Sequence, residues 1–78
     1  MKRTFFRVVD VTFNPQHDCD FVTLEDRTSA SRFMIGEFAF AATPAVGDEI
    51  VRLEDRKGHW LGYRSPTVVD RLLGSLSR

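Results

Sequence analysis

The sequence predicts a mainly β domain, a small antiparallel barrel of five strands followed by a C-terminal α-helix. Five short segments alternate apolar and polar residues with the two-residue period of half-buried strands. Pro, Gly, Asn and Asp, which favour turns, separate these segments, and after Ser65 the apolar residues change to helical spacing. Because 78 residues suit one domain, residues 1–78 are interpreted as a single unit, with the barrel over about 3–64 and the helix over about 66–77.

The first predicted strand covers residues 3–13 and is rich in Phe, Val and Thr. One side of its alternating pattern is expected to face the core, with Arg7 as the polar exception. The apolar residues on that side are Phe5, Val9, Val11 and Phe13. Turn formers at residues 14–18 then reverse the chain.

The second and third strands are predicted at residues 20–26 and 31–36, with a polar loop between them. Val22 and Leu24 are expected to point inward from the second strand, and Phe33 and Ile35 from the third. The stretch EFAFAATPAVGDE that follows mixes strand-like and helix-like features. It is interpreted as a connection with little regular structure.

A hairpin is predicted from the fourth and fifth strands, at residues 49–55 and 59–64, joined by a turn in which Gly58 supplies a positive φ. In the fourth strand Val51 and Leu53 are expected inside. Ile50, Arg52 and Glu54 are expected to point outside.

The last segment, SPTVVDRLLGSLSR, predicts a short amphipathic helix. Ser65 or Thr67 can cap this helix, and Pro66 suits a first turn. Thr67 followed three residues later by Asp70 is a weakened capping box. Gly74 weakens the last turn, so this helix is expected to need a partner surface in order to persist. Its apolar face consists of Val69, Leu72, Leu73 and Leu76.

Two barrels fit the five strands. Closure, or near closure, would remove the exposed edges that a flat sheet of this size carries. The long first strand and the extended connection before the fourth strand favour an oligonucleotide/oligosaccharide-binding (OB) barrel. An SH3-like barrel is the alternative.

Five motifs resemble the one-domain bacterial translation initiation factor and related RNA-binding OB barrels. They are VVDVTFN, DFVTLED, SRFMIG, PAVGDEIVRLED and GHWLGYR, and they span about residues 5–64. In that family a V-x-L-E-D/N-G strand, a short third strand, a P-G-D-x-V turn and an aromatic-arginine fifth strand follow one another. The resemblance implies RNA binding through basic and aromatic residues of the second and third strands.

The chain departs from the family where the family binds RNA. The corresponding face has no lysine, the connection EFAFAAT lacks the family's basic, glycine-containing segment, and the C-terminal helix is additional. The resemblance therefore supports the fold more strongly than it supports RNA binding. The residues on that face are Phe21, Thr23, Glu25, Arg32 and Met34.

Composition excludes several classes of protein. Eleven basic and eleven acidic residues give a formal net charge of zero, so no overall field steers the molecule to a polyanion. The single cysteine, Cys19, cannot form an internal disulfide, which suits a reducing, cytoplasmic setting. No apolar stretch approaches the roughly 18 residues of a membrane span or forms a signal peptide, so no membrane association is expected.

Metal binding and catalysis are not predicted. Residues 17–20 (HDCD) hold metal-ligand types in succession, but adjacent side chains rarely point at one ion, and His59 is the only other histidine. The sequence contains no nucleophile elbow and no phosphate-binding glycine loop. We therefore expect a protein without cofactor, metal or enzymatic activity.

One candidate site is an outward set of aromatic, apolar and cationic side chains that would suit stacked, single-stranded RNA or DNA. The competing interpretation is that the helix covers this surface, so that Trp60 joins a second small core. This candidate binding set is Phe21, Arg32, Met34, Trp60 and Arg64.

The favoured function is a small binding module that contacts another protein or a second copy of itself. The zero net charge and the apolar connection motivate this hypothesis, and single-stranded nucleic-acid binding is the alternative. The side chains proposed for protein contacts are Phe38, Phe40, Leu72 and Leu76.

Overall fold

The computed structural model describes residues 1–76, and side chains through residue 74. It confirms the mainly β class, with five antiparallel strands and one C-terminal helix. The helix predicted over 66–77 is observed at 68–76, and residue 77 lies outside the described residues. The elements are β1 (Lys2–Asn14), β2 (Cys19–Asp26), β3 (Arg32–Gly36), a 3-10 turn (Glu37–Ala39), β4 (Glu49–Glu54), β5 (Trp60–Arg64) and α1 (Val68–Leu76).

The five strands form one sheet in the order β3-β2-β1-β4-β5, curved into a half-barrel. β1 is central and pairs with both β2 and β4, which is possible because it is 13 residues long. β3 and β5 are the two edges. The half-barrel is consistent with the small antiparallel barrel that the sequence predicts, although β3 and β5 are not hydrogen-bonded to each other. The connection before β4 contains only the 3-10 turn as regular structure, as predicted.

A β-bulge in β1 reverses the predicted orientation of its first half. Val8 pairs with Leu24 and Asp10 with Thr23, so Val9 is an extra residue on the β1 side. Because of this insertion, Phe6 and Val8 before the bulge face the core. The expectation that Phe5, Val9 and Phe13 fill the core is wrong, whereas Val11 does pack against it.

The orientation predicted for β4 is also wrong. Ile50 belongs to the core cluster, and Arg52, two residues later, lies over the ring of Phe6 with its Cζ 5.1 Å from the ring centroid. Val51 is fully buried on the opposite face, where it pairs with Phe5. Both faces of β4 are therefore covered, and alternation cannot identify the core side of such a strand.

The core lies on the inner face of the half-barrel. Its buried cluster is extended by half-buried side chains from β1, β3, β5 and the connection, and the rings of Phe6 and Phe33 meet edge to face with centroids 5.4 Å apart. The inward positions predicted for β2 and β3 are confirmed. The cluster is Phe6, Val8, Val22, Leu24 and Ile50, and Val11, Phe33, Ile35, Phe40 and Tyr63 pack against it.

Candidate interaction surface

α1 is attached to the outer face of the sheet through a buried carboxylate. The side chain of Asp70 is 0% exposed. It accepts hydrogen bonds from Arg3 Nε at 2.9 Å and from Arg64 Nη2 at 2.8 and 3.0 Å. The two arginines come from β1 and β5, so one helical residue ties α1 to two strands of the sheet.

The same carboxylate closes the first turn of α1. Its Oδ2 accepts from the backbone N–H and the hydroxyl of Thr67, at 2.9 and 3.1 Å. In return, the backbone N–H of Asp70 donates to Oγ1 of Thr67 at 3.2 Å. This reciprocal pair satisfies groups that a helix start leaves unpaired, and it confirms the predicted capping box.

These contacts stabilise the ionised form of Asp70. The backbone N–H of Thr67 is the largest influence, and together with the side chains of Arg3, Arg64 and Thr67 it holds the pKa of this carboxyl well below its usual range. Burial acts in the opposite direction, because it disfavours charge, but it is outweighed. The anchor is therefore charged at neutral pH.

Gly74 allows α1 to approach the sheet closely. A Cβ at this position would lie 2.5 Å from Cε2 and 2.8 Å from Cζ of Phe5, distances that real Cβ atoms do not reach. The glycine that weakens the helix in isolation is thus the residue that lets it pack against β1. Asp70 and Gly74, four residues apart, define the side of α1 that faces the sheet.

The opposite side of α1 is apolar and faces solvent. Val68 is 74% exposed and Leu72 61% exposed, and Val69 and Leu73 are also exposed. We refer to Val68, Val69, Leu72 and Leu73 as the outward stripe. A helix of a monomeric domain normally buries such a stripe, whereas α1 turns its polar and small residues inward. The side chain of Leu76 lies outside the described residues.

The structure does not bring the predicted nucleic-acid set together on one surface. Phe21, Arg32 and Met34 lie on the outer face of β2 and β3, since Phe21 pairs with Gly36 and Thr23 with Met34. Arg64 is also on the outer face, but Asp70 occupies its guanidinium. Trp60 contacts the inner-face residue Tyr63, with ring centroids 6.0 Å apart. The expectation of a single shared surface is wrong because Trp60 lies on the inner face, apart from the other four residues: the register shift at Leu61 turns Trp60 away from the side of Arg64.

Trp60 forms an exposed cap at the open end of the core. Trp60 is 60% exposed, and Cζ of Arg52 lies 4.6 Å from the centroid of its ring. Arg52 is thus stacked between Trp60 and Phe6, and it also pairs with Glu54 at 3.1 Å. The interpretation that the helix covers Trp60 is wrong, because α1 packs on the other face of the sheet.

The residues predicted for protein contacts have different environments. Phe38 is 80% exposed and packs its ring beside Gly36, near Phe21. Phe40 packs against the core, with its ring 5.7 Å from that of Tyr63, so it is not an outward contact residue. Leu72 lies in the outward stripe. Of the three predicted residues whose side chains are described, Leu72 therefore lies in the outward stripe and Phe38 and Phe40 do not.

The sequence predicts the Thr67–Asp70 cap but not the anchor to which the cap belongs. Arg3 and Arg64 lie at distant positions in the chain, and no local pattern joins them to Asp70. A signal was present in α1 itself: an acidic residue and a glycine share the side opposite the apolar residues. That pattern is compatible with a helix docked by its polar side.

Comparisons of the chain with protein-family models, curated proteins and solved structures give no match. Over residues 1–76, no helix has the length and apolar character needed to cross a membrane. In the same part of the chain, no three or more His, Cys, Asp or Glu side chains are grouped so as to hold a metal ion.

Proposed function

We propose that this protein is a small, non-enzymatic binding module that contacts another protein through the outward stripe of α1. The observation that carries the proposal is the inverted polarity of the helix. Asp70 and Gly74 face the sheet, while Val68 and Leu72 face solvent. Exposed apolar side chains that are contiguous on one element commonly mark a protein contact.

The size of the stripe sets the scale of the contact. Full burial of a Val or Leu side chain contributes about 1.5–3 kcal/mol, and the stripe leaves roughly half of four such side chains exposed. Covering it would contribute on the order of 5 kcal/mol before the entropic cost of association, which is of similar size. The stripe is therefore proposed as the apolar centre of a larger interface.

Site-specific photo-crosslinking tests the proposal. A photo-reactive leucine analogue at position 69 or 72 should yield a discrete cross-linked protein in cells. The same analogue at Leu61, an exposed leucine of β5, serves as the matched control. The product should disappear when Val68→Glu is added to the stripe. Equal products from positions 61 and 72, or none from the stripe, would contradict the proposal. A product of twice the chain mass would identify the partner as a second copy.

Single-stranded nucleic-acid binding is the second candidate, favoured by the exposure of Trp60 beside the cation of Arg52. Arg64 is engaged by Asp70, and Phe21 and Arg32 lie on the other face, so a strand would contact a smaller surface than the sequence suggested. Titration with an oligonucleotide at low salt should quench Trp60 fluorescence, and salt should reverse the quenching. Unchanged fluorescence throughout the titration would eliminate this candidate.

A further inference from the structure

The two ends of this elongated molecule carry opposite charge. The molecule measures 41 × 24 × 21 Å, although its formal net charge is zero. Residues 8–24 contain three acidic residues, Asp10, Asp18 and Asp20, and no Lys or Arg. Residues 12–20 of this segment form the acidic arm, a two-stranded hairpin in which Phe13 pairs with Asp20 and Asn14 with Cys19.

The acidic arm has carboxylates without ion-pair partners. Asp18 and Asp20 make no ion pair within the described residues, and Phe13 beside them is 55% exposed. Burial raises the pKa of the Cys19 thiol, and the carboxylates of Glu37, Asp20 and Asp18 raise it further. Negative charge is therefore concentrated around the arm.

The opposite end, which we call the basic end, collects cations from separate parts of the chain. The strand register brings them together: Lys2 pairs with Glu54, just before the β4–β5 turn, and Phe6 pairs with Asp26, just before the β2–β3 turn. Within the part of the chain that the structure describes, Lys2, Arg56 and Lys57 form no ion pair. These side chains are free to meet an external anion.

A cavity of about 420 Å³ opens at the basic end. It has room for an aromatic side chain as well as for carboxylates. Its wall offers the ammonium of Lys2, which is unpaired within the described residues, and the hydroxyls of Thr28 and Ser29 beside the ring of Phe5. Arg3 and Arg27 also line the cavity but are paired with Asp70 and Glu49. The carboxylate of Asp26 on the wall accepts hydrogen bonds from the backbone N–H groups of Thr28 and Ser29. The acidic arm offers the complementary groups, carboxylates around an exposed phenylalanine.

We infer that the acidic arm of one copy docks in the cavity at the basic end of a second copy, head to tail. The occupant is a second copy, because one chain carries both the acidic arm and the basic end. The longest dimension of the molecule is 41 Å, so these two surfaces lie far apart on one copy. The contact does not depend on the outward stripe. Since the joined surfaces differ, each pair keeps one free arm and one free basic end, and association continues as an open chain or a ring.

The contact is weak and sensitive to salt. Ion pairs between exposed side chains contribute little individually, and the screening length falls from about 30 Å at 0.01 M salt to about 3 Å at 1 M. Head-to-tail association therefore occurs at high protein concentration and low ionic strength, and it is lost as salt is added.

Sedimentation velocity with charge-reversal variants tests the inference. The wild-type sedimentation coefficient should rise with protein concentration at about 20 mM NaCl and stay monomeric at about 500 mM. D18K/D20K reverses the arm, and K2E/K57E reverses the basic end. Each variant alone should remain monomeric at low salt, whereas an equal mixture should associate, because each contact between the two different variants is again between opposite charges. Circular dichroism verifies that both variants fold.

Three outcomes would overturn the inference. The first is a monomeric wild type at low salt, and the second is association of either charge-reversed variant on its own as strongly as the wild type. The third is association that Leu72→Glu abolishes while the charge reversals leave it intact. That last result would assign self-association to the outward stripe, so failure here is distinguishable from failure of the proposed function. Salt-sensitive association that survives Leu72→Glu supports the inference.

Discussion

Arg3 and Asp70 are separated by 67 residues in the sequence, yet Nε of Arg3 donates to Oδ1 of Asp70 over 2.9 Å. This ion pair joins the first strand to the last element of the fold. It replaces the apolar packing that normally holds a terminal helix on a sheet. The orientation of α1, and with it the exposure of the outward stripe, depends on this anchor.

Asp70→Asn should release α1 from the sheet. The substitution keeps the shape of the side chain but removes its charge, which leaves Arg3 and Arg64 beside an uncharged group. Hydrogen bonds to charged groups contribute about 1.5–3 kcal/mol, so we expect the free energy of unfolding to fall by about 2 kcal/mol. Urea denaturation measures the change. Asp18→Asn is the matched control, since Asp18 is exposed and Asn tolerates its positive φ. An equal effect of both substitutions would contradict the anchor.

The anchor should also make stability depend on pH in the acid range. The pKa of Asp70 is lower in the folded state than in the unfolded chain, where it is about 3.9. Its contribution is therefore complete above about pH 5 and is lost as the pH falls from the unfolded pKa towards the lower folded pKa. Urea denaturation at several pH values should show a difference between wild type and Asp70→Asn that is constant above pH 5 and shrinks below about pH 4. A difference that stays constant into strong acid would contradict this assignment.

Gly74→Ala tests the close approach of α1 to β1. Alanine improves helix propensity by about 1 kcal/mol, but its Cβ would collide with the ring of Phe5, and overpacking costs about 1–3 kcal/mol. We expect net destabilisation in urea. In the background Phe5→Leu, which removes the ring, the same substitution should become stabilising. Stabilisation in the wild-type background would show that the helix does not depend on this contact.

Local patterns predicted the strands well and the faces of β1 and β4 poorly. Val22 and Leu24 were assigned correctly because β2 has one buried face, so alternation reports burial directly. In β1 the extra residue Val9 inverts the pattern, and a bulge has no sequence signal of its own here. In β4 both Ile50 and Val51 are buried. The wrong side predicted for Trp60 has a similar cause, because Leu61 is an extra residue between the positions of β5 that pair with Leu53 and Glu54.

The candidate site was predictable only in part, for a related reason. The helix, its cap and its apolar residues follow from spacing within ten residues of chain. Which side of α1 meets the sheet depends on Arg3 and Arg64, because a buried carboxylate needs cationic partners. Their proximity is a property of the strand order, not of local sequence.

Arg52→Ala should alter the environment of Trp60. The guanidinium covers one side of the indole, with Cζ 4.6 Å from its centroid, and stacked cations of this kind contribute about 0.5–2 kcal/mol. Loss of this cover should shift Trp60 emission to longer wavelength and lower stability in urea by about 1–2 kcal/mol. Arg56→Ala removes an exposed arginine of the adjacent turn and serves as the control. An unchanged emission spectrum in Arg52→Ala would exclude the stack.

Leu72→Gln should leave the stability of the isolated protein almost unchanged. Leucine and glutamine have similar helix propensities, and Leu72 is largely exposed, so the substitution removes little buried apolar surface. We expect a change within about 0.5 kcal/mol in urea denaturation, as for other surface sites. Leu24→Ala, in the fully buried core, should cost about 2–5 kcal/mol under the same conditions. A large loss in Leu72→Gln would mean that the isolated domain buries the stripe, and the proposal that a partner covers it would fail.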